Sequence, residues 1–243
     1  MDFICSFTTK LLRMKKYVVL VAGGSGSRMK SVIPKQFLML NDKPVLMHTI
    51  QKFHDFDATI HFIVVLPDAE ILTWKAMCER YSFNISHQVV AGGLTRFHSV
   101  QRGLSLVIDD GLVAIHDGVR PLVSMDTLAR VYKCAEEKGN AIPCIAVTDS
   151  IRKLHANGSA AVARNEFRLI QTPQCFNAAS IKAAYGQTYD ESFTDCASVL
   201  EAFGVEVNLV EGNVENIKLT TPSDLVVATA LLTNASNSET GKH

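Results

Sequence analysis

The stretch that decides the fold is Tyr17-Val-Val-Leu-Val-Ala22, which runs directly into Gly23-Gly-Ser-Gly-Ser-Arg28. A continuous apolar run rich in valine predicts a strand that is buried on both faces. An apolar strand that ends in glycines is typical of a nucleotide-binding α/β fold, because glycine lets backbone amides approach phosphate oxygens closely. The sequence therefore predicts a phosphate-binding loop directly after the first strand.

The rest of the chain alternates apolar runs with helical patterns. We predict further strands at residues 61–66, 85–90, 112–116, 141–147 and 205–210. We predict helices at residues 44–53, 68–81, 95–107, 124–138, 178–186 and 194–203, and a last one that opens at 221–224. Ser124 is the expected N-cap of its helix. Strands that alternate with helices of this length predict βαβ units and a mostly parallel, Rossmann-like α/β sheet.

The alternation breaks at about residues 148–170. Two short β-tolerant runs, 150–154 and 161–169, flank Asn157-Gly158, a dipeptide typical of hairpin turns. A projecting hairpin leaves two strand edges exposed, and pairing with a second chain would cover them. We therefore expect a β-arm that joins a homodimer, within a single domain over residues 14–233.

Composition restricts the classes of function. The chain has 243 residues, 47% of them hydrophobic and 20% charged, with 24 Lys+Arg against 24 Asp+Glu. These values exclude a disordered protein, and zero net charge argues against a general nucleic-acid binder. No apolar run approaches the roughly 18 residues that span a bilayer, so no membrane association is expected. Six scattered cysteines without a C-x-x-C motif favour reduced thiols and a cytoplasmic location.

The two ends of the chain are set apart from the domain. Residues 1–13 are too short and too interrupted for a signal-peptide core, so we expect an upstream alternative start or a disordered extension. The polar residues 234–243 are expected to form a flexible tail.

The glycine loop carries the candidate catalytic cations. Arg28 follows Gly24 and Gly26, and Lys35 lies a few residues beyond. Backbone amides that cradle phosphates, together with fixed cations, are what the transfer of a nucleotidyl group requires. A glycine-rich surface turn with solvated cations is the alternative.

Two familiar phosphate-binding motifs do not match this loop. A P-loop needs glycine before the Lys-Ser pair, but Met29 precedes Lys30-Ser31. A dinucleotide fingerprint needs a third glycine, and that position is also Met29. The absence of that glycine argues against a nicotinamide-dependent oxidoreductase.

Further polar residues follow two other predicted strands. Asp117 and Arg120 lie in His116-Asp-Gly-Val-Arg-Pro121, at the strand edge where open α/β sheets bind ligands. Asp117 could bind a ribose hydroxyl or a metal ion, and Arg120 could fix Asp117 or touch a phosphate; an Asp–Arg pair that ties down a turn is the alternative. His116 is expected to be a hydrogen-bonded strand-end histidine and no catalyst. Lys218 adds a cation near the same edge, unless it is a solvated surface lysine.

Two weaker groups complete the candidates. Gly93, Arg96 and Ser99 offer a tight backbone and a hydroxyl that suit the edge of a pyrimidine. Ser150 and Arg164 lie on the predicted arm, where they could complete the site of a partner chain. Ordinary polarity of an exposed arm is the alternative for these two residues.

In their order along the chain, these stretches resemble the 2-C-methyl-D-erythritol 4-phosphate cytidylyltransferases, from about Lys16 to Leu232. The motifs are Gly-Ser-Gly-Ser-Arg-Met, Pro-Lys-Gln, Ala-Gly-Gly-x-x-Arg, His-Asp-x-x-Arg-Pro, Thr-Asp-Ser, Gln-Thr-Pro-Gln and Asn-Ile-Lys-x-Thr. The resemblance implies a nucleotidyltransferase sheet and a reaction of CTP with the methylerythritol phosphate that releases pyrophosphate. It also implies Mg²⁺ on the triphosphate, held mainly by phosphate oxygens and water, with Asp117 as a possible ligand.

The resemblance also implies roles for individual residues. Arg28 and Lys35 match the residues that stabilise the transition state. Lys218 and Arg164 match those that hold the acceptor phosphate, with Arg164 supplied by the other subunit. The remaining matches are Ser150 as a hydroxyl contact to that acceptor, Asp117 near the ribose and phosphates, and Ala22, Gly23, Gly93 and Ser99 as the positions that recognise cytosine.

Two alternatives remain, and the first follows from a departure in the motif series. Many members of this family have Ala-Ala-Gly where this chain has Ala22-Gly-Gly24. Ala-Gly-Gly also suits ribitol-5-phosphate cytidylyltransferases, which share several of the motifs. The segments 148–152 and 164–167 favour the methylerythritol branch. A non-catalytic nucleotide sensor with the same fold is the other alternative, and the presence of Arg28, Lys35 and Lys218 argues against it.

Overall fold

The computed structural model of the chain describes residues 14–23 and 33–240, the last six of them through their backbone alone. Its strands are β1 Lys15–Val21, β2 Met39–Leu40, β3 Lys43–Pro44, β4 His61–Leu66, β5 His87–Ala91, β6 Gly111–Asp117, β7 Asn140–Ala146, β8 Ile151–His155, β9 Gly158–Val162, β10 Arg168–Ile170, β11 Gln174–Asn177 and β12 Leu209–Glu211. Its α-helices are α1 Val45–Phe56, α2 Ile71–Arg80, α3 Arg96–Leu104, α4 Met125–Lys138, α5 Ala178–Ala184, α6 Cys196–Ala202 and α7 Pro222–Thr240. Short 3-10 turns lie at Lys35–Phe37, Asp68–Glu70 and Arg164–Glu166.

The main sheet has the strand order β10-β7-β11-β6-β1-β4-β5, and β12 pairs with β7. Strand β1 lies between β4 and β6 and is parallel to both. The valines and leucine at its centre are fully buried, as the continuous apolar run predicts. The prediction of a mostly parallel α/β sheet is confirmed.

Helices cover both faces of this sheet. Alternate residues of β1 point to opposite faces, so Val18 and Leu20 join one core while Tyr17 and Val19 join the other. The first core contains buried side chains of α1, α2 and α4, and the second contains those of α3, α5 and α6. The two helical layers cover the faces of the sheet and leave its carboxyl edge accessible.

The helix ends follow the sequence signals. The Ser124 hydroxyl accepts a hydrogen bond from the backbone N–H of Thr127 at 3.1 Å, which confirms the expected N-cap of α4. The last helix begins at Pro222, where the sequence predicts it, and Asp224 accepts from the N–H groups of Thr220 and Thr221. Its backbone stays helical through Thr240, into the segment expected to be a tail. The predicted extension at residues 1–13 lies outside the described residues.

The structure corrects two of the predicted strands. The run at 205–210 contributes only its last two residues to β12. Before them, the carbonyl of Glu206 and the N–H of Asn208 form hydrogen bonds with the side chain of Asn140 and not with the backbone of a neighbouring strand. The predicted second strand of the arm, 161–169, is divided: β9 ends at Val162, and β10 returns to the main sheet beside β7. The arm is therefore the two-stranded sheet β8–β9, as expected, but it turns at Ala156-Asn157, one residue before the predicted Asn157-Gly158, because Gly158 of β9 already pairs with His155.

Strand β11 was not predicted. It inserts between β6 and β7 and is antiparallel to both. Among the described residues, no helix is long and apolar enough to cross a membrane. Every cysteine in the described part of the chain is a free thiol, as expected.

Candidate active site

A pocket of about 330 Å³ opens at the carboxyl ends of β1, β5 and β6. The predicted site residues that line it are Ala22, Gly23, Lys35, Gly93, Ser99, Asp117 and Lys218. The other lining residues are Val21, Leu94, Thr95, Arg96 and Val119. Residues from distant parts of the sequence thus meet at the sheet edge where open α/β folds bind ligands.

The parallel pairing of β1 brings the first group of these residues together. The backbone N–H of Ala22 donates to the carbonyl of Val65 at 2.9 Å, and the N–H of Gly118 donates to Val21 at 3.0 Å. Val21 is also the register partner of Asp117. The start of the glycine loop is therefore held between the ends of β4 and β6, directly beside Asp117.

The segment after β5 forms a second wall of the pocket. The backbone N–H of Gly93 donates to the hydroxyl of Ser99 at 3.1 Å. A Cβ at Gly93 would collide with the side chain of His98, so the close approach requires glycine. The Thr95 hydroxyl caps α3 by accepting from the N–H of His98. This wall presents backbone groups and the hydroxyls of Thr95 and Ser99, which are suited to the edge of a base.

Asp117 is the electrostatic centre of the pocket. Its carboxylate lies 3.0 Å from Lys218 Nζ, 3.2 Å from Arg120 Nε and 3.9 Å from Arg96 Nε. Burial by itself would raise the pKa of Asp117, but the nearby charges of Lys218, Arg96 and Arg120 outweigh it and hold that pKa well below its usual range. One carboxylate faces three cations, so the cluster keeps a net positive charge that suits a phosphate.

Arg120 supports the cluster from outside the pocket. Its side chain is 13% exposed, and it is not among the residues that line the pocket. Besides its contact with Asp117, it donates through Nη1 to the carbonyl of Asn216 at 2.7 Å. The geometry matches the Asp–Arg pair that ties down a turn, and it joins that turn to the segment that carries Lys218.

A buried network supports Asp117 from the other side. The hydroxyl of Thr172 accepts from the N–H of Asp117 at 3.1 Å, and the Asn216 side chain donates to the carbonyl of Thr172 at 2.8 Å. His116 Nε2 lies 3.0 Å from the carbonyl of Arg120, which can only accept, so Nε2 carries the proton. His116 Nδ1 then accepts from the Thr172 hydroxyl at 2.9 Å.

His116 is a structural residue, as the sequence predicts. It is fully buried, and burial lowers its pKa to about 4. It therefore stays neutral at pH 7 with both ring nitrogens engaged. Thr172 and Asn216 were missed as supporting residues, although both lie in motifs that the sequence brought out.

Arg96 contributes more to the site than its sequence motif indicates. It lines the pocket and begins α3, only three residues after Gly93. The Ala-Gly-Gly-x-x-Arg motif was the available signal. Its spacing suggested a tight backbone and a hydroxyl, but it gave no indication that the guanidinium would reach Asp117.

The remaining predicted site residues fall into two groups. Gly24, Gly26 and Arg28 are outside the described residues. Ser150 and Arg164 are not among the residues that line the pocket of their own chain. Arg164 lies after β9, at the base of the arm, where it donates to the backbone carbonyl of Thr148.

A mostly parallel α/β sheet with glycine backbone and fixed cations at its carboxyl edge is the arrangement of a nucleotidyltransferase, an enzyme class that moves a nucleotide from its triphosphate to an acceptor. Within that class, a family model described as 2-C-methyl-D-erythritol 4-phosphate cytidylyltransferase matches residues 16–234. The chain belongs to this family.

Individual relatives agree with the family match. The chain is 51% identical over 219 residues to the 2-C-methyl-D-erythritol 4-phosphate cytidylyltransferase of Phocaeicola vulgatus, covering 90% of this chain and 100% of the relative. It is 48% identical over 224 residues to that of Porphyromonas gingivalis, covering 92% and 100%. A crystal structure of the enzyme from Thermus thermophilus is similar with a TM-score of 0.72 and 31% identity, over 90% of this chain and 98% of that one.

Proposed function

We propose that this pocket joins CTP and 2-C-methyl-D-erythritol 4-phosphate to form 4-diphosphocytidyl-2-C-methyl-D-erythritol and pyrophosphate. The observation that carries the proposal is the cation cluster around Asp117, at the sheet edge beside Ala22 and Gly23. The names of the relatives support the choice of nucleotide and acceptor.

The reaction is an in-line displacement. A phosphate oxygen of the acceptor attacks the α-phosphorus of CTP, the bond from that phosphorus to the bridging oxygen breaks, and pyrophosphate leaves with the electron pair. A phosphate monoester already carries its nucleophilic oxygen, so no strong general base is needed. His116, neutral and fully hydrogen-bonded, is not placed for such a role. Positioning and charge stabilisation remain for the protein to supply.

Lys35 is the described candidate for charge stabilisation. It lines the pocket and is half-buried at the start of a 3-10 turn. We assign it, together with Arg28 of the preceding loop, to the charge that develops on the α-phosphate. A fixed cation at that point stabilises the transition state more than the ground state.

Cytosine recognition is assigned to the wall formed by the segment after β5. Gly93 and Ser99 offer backbone groups and a hydroxyl, and Ala22 and Gly23 close the space from the β1 side. A Cβ on Gly23 would lie only 3.6 Å from the Ser99 hydroxyl, so the two segments approach each other closely.

The acceptor site is assigned to both subunits of a homodimer. Lys218 and Asp117 belong to the pocket of one chain, and Ser150 and Arg164 of the partner subunit complete it. The arm supports this assignment, since it and the neighbouring edge strand expose apolar side chains that a second chain would cover. These side chains are Leu154, Phe167, Leu169 and Ile170.

The pocket suits a magnesium ion that is bound mainly through the triphosphate. Among the described residues, no group of three or more His, Cys, Asp or Glu side chains could hold a metal ion, and the pocket carboxylate Asp117 is already neutralised by cations. Such a site suits Mg²⁺ that is held by phosphate oxygens and water, with at most a contribution from Asp117. When bound, the ion neutralises part of the triphosphate charge. We expect EDTA to abolish turnover and added Mg²⁺ to restore it.

A cytoplasmic location is supported by the free thiols.

The test is pyrophosphate release from a grid of nucleotides and alcohol phosphates. The purified chain is incubated with CTP, UTP or ATP and with methylerythritol phosphate or ribitol 5-phosphate, with and without Mg²⁺. We expect turnover with CTP and methylerythritol phosphate to exceed every other pair by at least about 100-fold, since unpaired polar groups penalise the wrong ligand. Preference for ribitol 5-phosphate would reassign the acceptor, and CTP binding without turnover on either would make the protein a nucleotide sensor.

A further inference from the structure

The guanidinium of Arg96 joins the pocket to a buried thiol. Its Nε lies 3.9 Å from the Asp117 carboxylate, and its Nη1 donates to the Sγ of Cys196 at 3.2 Å. Arg96 lines the pocket, whereas Cys196 is fully buried at the first position of α6. The two residues are 100 positions apart in the sequence, so only the tertiary fold brings them together.

Cys196 is itself held rigidly. Its Sγ also accepts from the hydroxyl of Tyr185 at 3.2 Å. Its backbone N–H donates to the side-chain carbonyl of Gln174 at 3.0 Å, and that amide is fully buried. The thiol therefore sits at a fixed place on the end of α6, with two donors directed at its sulfur.

The acceptor at this place is neutral. Burial raises the pKa of the Cys196 thiol, so the sulfur carries no countercharge at pH 7. A carboxylate here would orient Arg96 and also cancel its charge, whereas a thiol is a weak acceptor that orients it and leaves the charge in place. The contacts to Asp117 and Cys196 engage two of the three guanidinium nitrogens. N–H groups remain for an anion in the pocket.

We propose that Arg96 binds a substrate phosphate and that Cys196 is a positioning residue, which fixes the guanidinium without neutralising it. This inference rests on the proposed function, because it needs a phosphate-bearing substrate in the pocket. The phosphate belongs either to CTP or to the acceptor alcohol. Separate KM values for the two substrates distinguish these sources.

The test is a double-mutant cycle on kcat/KM with Arg96→Ala, Cys196→Ala and the combined variant. If Cys196 acts through Arg96, Cys196→Ala lowers kcat/KM about 10-fold in the wild-type background and less than about 2-fold when Arg96 is already alanine. The KM of one phosphate substrate rises in both single variants. Cys196→Ser keeps an acceptor at the same place and is expected to stay within about 3-fold of wild type.

The matched control is Tyr185→Phe. It removes the other hydrogen bond to the same sulfur but keeps the Arg96 contact and the stacking of residue 185 on Phe97. We expect Tyr185→Phe and Cys196→Ala to lower the Tm by a similar amount, about 2–4 °C, while kcat/KM falls only in Cys196→Ala. Equal losses of activity in the two variants, or the same loss for Cys196→Ala in the Arg96→Ala background, would overturn the proposal. Absence of turnover in the wild-type chain would instead contradict the proposed function.

Discussion

The pocket and the arm are built in opposite ways. The pocket is crossed by contacts between distant residues, such as Arg120 with Asn216 and Asp117 with Thr172, and its lining residues are mostly buried or half-buried. Strands β8 and β9 pair only with each other, and nearly every arm side chain is exposed. A two-stranded hairpin without a core of its own is marginally stable in water. One chain therefore builds the pocket, whereas the arm would gain a fixed position in the proposed dimer.

The largest expected effect concerns the pocket and its assigned catalytic lysine. Lys35→Ala should lower kcat about 1000-fold, because it removes a fixed cation from the transferring phosphoryl group. Steady-state pyrophosphate release measures the loss, and calorimetry should show that CTP still binds. Lys75→Ala, an exposed lysine on α2, is the matched control and should behave as wild type. A kcat close to wild type in Lys35→Ala would remove Lys35 from the catalytic assignment.

The next largest effect tests the arm. Leu154→Asp places a charge on a side chain that is 80% exposed in one chain but covered in the proposed dimer. We expect a monomer by sedimentation and a drop of kcat/KM of about 100-fold, because Arg164 no longer reaches the partner's site. CTP affinity should be unchanged, since the nucleotide wall lies within one chain.

Leu72→Asp is the control for that experiment. Leu72 lies on α2, away from the arm, and is 77% exposed, so the same substitution tests charge alone. It should leave both assembly and activity as they are. If Leu154→Asp stays dimeric, the arm is not the interface.

A third prediction concerns the packing beneath the pocket. His116 has a pKa of about 4 in the folded chain because it is buried, against about 6.5 when unfolded. Between these values the unfolded chain binds more protons, so the free energy of unfolding falls as the pH drops below about 6.5. The expected loss by pH 5 is on the order of 2 kcal/mol. Urea unfolding across this range measures it, and His116→Gln should flatten the slope; an unchanged slope would assign the effect to other groups.

The smallest effect separates the acceptor from the nucleotide. Lys218→Ala should raise the KM for methylerythritol phosphate about 10-fold, because one charge-assisted contact is lost. Arg96 and Arg120 still neutralise Asp117, so the fold should persist. The KM for CTP should change little. A rise confined to CTP would move Lys218 from the acceptor to the nucleotide.

The sequence motifs predicted which residues line the pocket better than they predicted the contacts among those residues. Glycines after apolar strands identified Gly23 and Gly93, and the motif series identified Asp117 and Lys218, all of which line one cavity. The contribution of Arg96 could not be predicted, because its partner Cys196 is 100 residues away and no local pattern connects them.

The sequence by itself determined the alternation of buried strands and amphipathic helices, the helix caps and the presence of the hairpin. These features depend on hydrophobic periodicity and on capping and turn residues, which extend over only a few positions. The tertiary structure decided that β11 inserts antiparallel beside β6, that β10 leaves the arm for the main sheet, and that one carboxylate is shared by three cations. Each of these results depends on pairing between distant segments, where competition for buried hydrogen bonds and charge neutralisation outweighs local propensity.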